Sequence, residues 1–132
     1  MIDCRRHLIK QSLLQKRTIV EITEECVKRY LQVIQEIITM KYRVLIWNVI
    51  VNVRLSGTKI IGTLRERNET ILLFNSILKS FLPKEIYFID ICDVLIKNFS
   101  VKKQYYKDNN HLCQKMMPIV IERLENARII KK

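Results

Sequence analysis

The sequence predicts an α/β protein, and three observations carry that prediction. Apolar residues recur at helical spacing from residue 19 onward, two short and densely apolar runs each follow a helical stretch, and the order reads helix, strand, helix, strand. Such alternation is the unit of layered folds with a parallel sheet, because the chain must cross back along the sheet before each new strand. With 132 residues, 48% of them hydrophobic, residues 1–132 read as a single domain able to bury one moderate core, and an ordered chain is expected.

Taken in order, Thr18-Ile19-Val20-Glu21 has the spacing at which a threonine hydroxyl and a glutamate cap each other's backbone amides, so a long helix is predicted to open there. Ile22, Cys26, Tyr30, Val33, Ile37 and Met40 recur at steps of three or four and are read as its inward face. Tyr42 to Val51 is rich in β-branched and aromatic residues and nearly continuous in apolarity, which predicts a strand covered on both faces with Trp47 in the core. The polar stretch from Arg54 to Arg67 holds both glycines, Gly57 and Gly62. Asn68-Glu69-Thr70 then predicts the start of a second helix through Leu82, which Pro83 closes. Ile86 to Ile91 predicts a second buried strand. Gln114 to Asn126 predicts a last helix with Met117, Val120, Ile121 and Leu124 inward, while Pro118, tolerated only near a helix start, counts against its first turn.

Charge and cysteine usage narrow the function classes. Lys and Arg number 24 against 13 acids, a formal charge of +11, but the surplus is divided among residues 1–18, 43–69 and 110–132. No helix-turn-helix, zinc or aromatic RNA-binding signature accompanies it, so a solvated basic surface is expected rather than a nucleic-acid module. Cys4, Cys26, Cys92 and Cys113 are too far apart for zinc or dithiol spacing and read as reduced thiols, with no metal and no cofactor expected. The first residues lack the apolar core of a signal peptide, and the run from Val44 to Val53 is far short of the roughly 20 residues of a spanning helix. A cytoplasmic protein without a transmembrane segment is the expectation.

The chemistry concentrates in Tyr105-Tyr106-Lys107-Asp108-Asn109-Asn110-His111-Leu112. An aspartate three residues before a histidine in a polar loop can take the imidazole Nδ1 proton, fix the tautomer and leave Nε2 as a base. Tyr105 and Tyr106 could flank a cleft.

Those residues carry a resemblance. Asp108-Asn109-Asn110-His111-Leu112 resembles the last conserved block of the SGNH, or GDSL-type, hydrolases, an Asp-x-x-His followed by Leu and a helix. Phe74-Asn75-Ser76-Ile77-Leu78 and then Ile86-Tyr87-Phe88-Ile89-Asp90 are similar to the family's helix with Asn before Leu and its strand ending in Ile-Asp. Ile2-Asp3-Cys4-Arg5 with His7 resembles a variant third block reading Gly-Glu-Ile-Asp-Cys-Arg, with Met1 where Glu would stand. The resemblance implies the C-terminal portion of a flavodoxin-like, three-layer α/β/α fold, incomplete because members have about five parallel strands. It implies ester substrates, including acylated sugars, with His111 as general base and Asp108 as its orienter. The family's Gly-Asp-Ser nucleophile block and its oxyanion-hole Gly and Asn blocks have no counterpart here. Ser12, Ser56, Ser80 and Ser100 lack the nucleophile's context, and Cys4 beside Arg5 is the one thiol placed to be weighed as a substitute. The chain is therefore expected to have little or no esterase activity alone.

The other class of function is a non-catalytic basic module that binds a partner protein or a polyanion. Val44 to Val51, central in a complete sheet, would here be an edge with unpaired backbone groups, inviting self-association or a partner chain.

Overall fold

The computed structural model describes residues 4–54, 61–98 and 100–129, with the backbone alone for 4–6. The elements are α1 (Cys4–Gln15), α2 (Ile19–Thr39), β1 (Leu45–Trp47), α3 (Leu64–Phe81), β2 (Tyr87–Ile89), the single turn α4 (Cys92–Leu95), β3 (Ile96–Lys97), β4 (Ser100–Val101) and α5 (Met117–Asn126). β1 and β2 pair in parallel with Ile46 opposite Phe88, as the alternation of helix and strand predicts. The short antiparallel pair β3 and β4 and the whole of α1 are additions to that scheme.

α2 opens where its sequence predicts: Glu21 N–H donates to Thr18 Oγ1 at 3.3 Å while Thr18 N–H donates to Glu21 Oε2 at 2.9 Å. Its buried face, however, is Ile22, Thr23, Val27 and Ile34, whereas Tyr30, Val33, Ile37 and Met40 are exposed. Both α1 and α3 pack against α2 and cover the Val27 and Ile34 side. The helix carries two adjacent apolar stripes, and periodicity alone does not choose between them.

The predicted strand from Tyr42 to Val51 is corrected in two ways. Only Leu45 to Trp47 form β1, and only its Ile46 is buried, against α1, α2 and α3. Leu45 and its neighbour across the sheet, Tyr87, are exposed on the opposite face, and Trp47 is 37% exposed rather than a core residue. The structure is thus mixed α/β with these helices on one face of a two-stranded sheet.

Past Trp47 the chain leaves the sheet and runs through the interior, where Asn48, Val51 and Asn52 are buried. Buried backbone polar groups need partners, and α3 supplies them from two asparagines. Asn75 accepts from Val49 N–H at 2.9 Å and donates to Val49 O at 2.7 Å. Asn68 accepts from Asn52 N–H at 2.8 Å and donates to Asn52 O at 3.0 Å. Seven helical residues rise about 10.5 Å and three extended residues span about 10 Å, so one helix face can bracket the chain at both points. The two side chains do for this segment what a neighbouring strand would do.

α3 begins earlier than predicted, at Leu64, capped by Thr63 and Glu66, which makes Asn68 an interior helical residue and not a start. Gly62 enters this cap with φ +76, a left-handed conformation, and a Cβ there would sit 3.0 Å from Ile9 Cδ1. Gly57 lies outside the described residues. At the other end Gln114–Met116 form a 3₁₀ turn and α5 starts only at Met117, not at Gln114, which puts Pro118 at the helix start where its missing N–H is tolerated. That turn shifts the inward position to Met116, which is buried, so Met117 and Ile121 are exposed and only Val120 and Leu124 are half-buried. A second core cluster of Val51, Ile71, Ile91, Cys92, Leu95 and Met116 underlies the loop that follows β4.

Candidate functional site

The loop from Tyr105 to Cys113 closes on itself. Cys113 N–H donates to Tyr105 O at 2.8 Å, Tyr106 and Leu112 form an antiparallel bridge, and Lys107 N–H donates to His111 O at 2.8 Å. Within the tip Asp108 is the organiser, because a short side chain can fold back onto amides two and three residues on. Its Oδ1 accepts from the N–H groups of Asn110 and His111, both at 2.8 Å, and its Oδ2 lies 2.7 Å from His111 Nδ1. The Asn110 amide, the His111 imidazole and the His111 amide together hold the Asp108 carboxyl down at about 2. Asp108 is therefore ionised at any pH near neutrality. The His111 side chain is 77% exposed, and no described residue hydrogen-bonds its Nε2.

Two ties fix this loop to the interior segment after β1. Tyr106 Oη donates to Val51 O at 2.6 Å, and Val53 N–H donates to Asn109 O at 3.0 Å. Burial pushes the Tyr106 phenol well up, so it stays a donor. Beneath it Cys92 is enclosed, accepting from Asn48 Nδ2 at 2.8 Å, and burial, with Asp90 nearby, pushes its thiol up to about 12. Cys92 is a structural thiol.

Among the described residues no serine hydroxyl or thiol is hydrogen-bonded to His111. Ser12 donates to Arg17 O and Ser80 to Ile77 O, each satisfying its own helix end, and Ser76 is exposed on α3. Ser100 borders a cleft of about 370 Å³ floored by Val53, Leu64, Leu72 and Val101, which neither Asp108 nor His111 lines. His7 is exposed on α1. Ser56, Asp3 and the side chains of Cys4 and Arg5 lie outside the described residues, and with them the resemblance to a third family block.

With this geometry in hand the chain was compared with known proteins. No family model, curated protein or solved structure matches it. Among the described residues no helix is long and apolar enough to cross a membrane, and no three His, Cys, Asp or Glu side chains group to hold a metal.

The structure brings together Asp108 and His111 as the sequence predicts, and Tyr106 ties their loop to Val51. Sequence reading missed Asn48, Asn68 and Asn75, which position the segment the loop hangs from. A signal was present: Asn48 and Asn52 interrupt an apolar run, and Asn68 and Asn75 stand seven apart on the same helical face as Ile71 and Phe74. Polar residues at buried positions ask for a backbone partner.

Proposed function

We propose that this chain is the C-terminal portion of an SGNH-type ester hydrolase, with His111 as general base and Asp108 as its orienter. The observation that supports the reading is the 2.7 Å contact between Asp108 Oδ2 and His111 Nδ1, made by a carboxylate whose other oxygen is fixed by two backbone amides. With the Nδ1 proton held by Asp108, the basic atom of the neutral ring is Nε2, which faces outward. A serine hydroxyl reaching Nε2 would give up its proton there while attacking an ester carbonyl, and the imidazolium, stabilised by Asp108, would return that proton to the leaving alcohol. The substrates of this reading are carboxylic esters, including acyl groups on sugars or lipids. Nucleophile and oxyanion donors come from beyond the described residues, and the three-layer, flavodoxin-like sheet would continue from the open edge of β1.

A second reading rests on charge. Between residues 97 and 115 stand Lys97, Lys102, Lys103, Lys107 and Lys115 against Asp108 alone, around the same loop. That surface, with the open β1 edge, suits a basic module that binds a polyanion or a partner chain.

One pair of measurements separates the readings. Hydrolysis of a short-chain p-nitrophenyl ester by the protein from its native source, lost on His111→Ala, supports the hydrolase. Salt-sensitive retention on heparin with no turnover supports the basic module and overturns the first reading.

A further inference from the structure

The outward stripe of α2 has a spacing that solvent does not require. Cys26, Tyr30, Val33, Ile37 and Met40 follow one another at steps of four, three, four and three; Cys26, at the start, is half-buried against the protein's own core, and the other four are exposed. Tyr30 is 42% exposed, Val33 53% and Met40 66%, although the opposite stripe of the helix already serves the protein's own core. Alternating four and three is the a/d pattern of a coiled-coil seam, which is buried only when a second helix lies along it. We propose that this stripe pairs two copies of the chain, α2 against α2, antiparallel about a two-fold axis.

The charges beside the stripe select that occupant and its register. Arg29 and Glu36 are exposed and occupy the flanking position next to the seam, one heptad apart. When Tyr30 meets the partner's Val33 and Cys26 meets the partner's Ile37, Arg29 falls opposite the partner's Glu36, and symmetry repeats the pair. Sliding by one heptad, so that Val33 meets the partner's Ile37, sets Glu36 against the partner's Glu36, which repels. A parallel arrangement would aim Arg29 at the partner's Ile34, a residue buried in its own core, and would gain no ion pair. The charges therefore select this register, in which Tyr30 and the partner's Val33 form two symmetry-related apolar layers and Arg29 meets the partner's Glu36 twice. Arg29 pairs with Glu25 on its own helix, and the partner's Glu36 would share that guanidinium. The contact is independent of the ester-hydrolase reading and uses neither Asp108 nor His111.

Sedimentation velocity across a wide concentration range tests the pairing. The expected result is a monomer–dimer equilibrium that Val33→Glu abolishes while the helical circular dichroism signal is unchanged, since Val33 faces out. Arg29→Glu and Glu36→Arg should each weaken the dimer about tenfold, by loss of the pair and new repulsion, and the double swap should restore it. A wild-type chain that stays monomeric overturns the proposal, as does a dimer that persists in Val33→Glu, which would place the contact elsewhere.

Discussion

Replacing Asn68 by Ala removes the two hydrogen bonds between its side chain and the Asn52 backbone, at 2.8 and 3.0 Å, in a place where Asn68 and Asn52 are 6% and 3% exposed. Each backbone group so abandoned in the interior costs about 1–3 kcal/mol, so the two together cost about 2–6. Allowing for partial entry of water, a loss of about 3 kcal/mol is expected, a large part of a typical stability of about 5–15 kcal/mol. For a urea m-value of about 2 kcal/mol/M, the unfolding midpoint would fall by about 1.5 M with m unchanged. Gln104→Ala, on the exposed surface, is the control and should stay within about 0.5 kcal/mol. Val53, the next residue, anchors Asn109 in the loop, so Asn68→Ala should also let the Asp108 carboxyl rise from about 2 towards its ordinary value, read by NMR. A cost below about 1 kcal/mol would refute the bracket as a stabilising device. Full destabilisation with an unmoved Asp108 titration would refute the coupling to the site.

Three further outcomes are expected. Thr63→Ala takes away the hydroxyl that accepts from Glu66 N–H at 3.2 Å and should cost about 1 kcal/mol in thermal unfolding. Asp108 has a depressed folded pKa, so its stabilisation is complete above the unfolded value of 3.8 and disappears as pH falls through about 2. The stability difference between wild type and Asp108→Asn should therefore shrink over that window, and a constant difference would contradict it. Cys92, with its thiol pushed up to about 12 inside the second core cluster, should resist a thiol reagent at neutral pH until the protein unfolds, and prompt labelling in peptide mapping would count against the burial.

What could be read in the sequence was what is settled over a few residues. The Thr18 cap was legible because donor and acceptor lie three residues apart, and the Asp108 and His111 contact for the same reason. The parallel pairing of β1 and β2 followed from the alternation of helix and strand. The inward face of α2 was not legible, because two stripes compete and α1, whose Leu8 is fully buried while Leu13 and Leu14 are exposed, gave no periodic signal to decide between them. The run from Val44 to Val51 looked like a doubly covered strand because its apolarity was counted without its asparagines. Asn48 and Asn52 mark where the sheet stops.

That stopping point bears on how the loop can hold a base in place. In a broad parallel sheet, strands on both sides fix the height at which loops emerge, but among the described residues β1 has β2 on one side alone and ends at Trp47. Asn48 N–H still donates to Ile89 O at the end of β2, and from Val49 to Asn52 the backbone is held by Asn75 and Asn68 from α3. Val51 O takes the Tyr106 hydroxyl and Val53 N–H holds Asn109 O, so both outer ties of the loop lead back to this stretch. The orientation of His111 thus rests on a chain of contacts from Asn68 and Asn75 through the buried backbone to Asp108. A loosened asparagine on α3 would be felt at the imidazole while the sheet and its register were left intact.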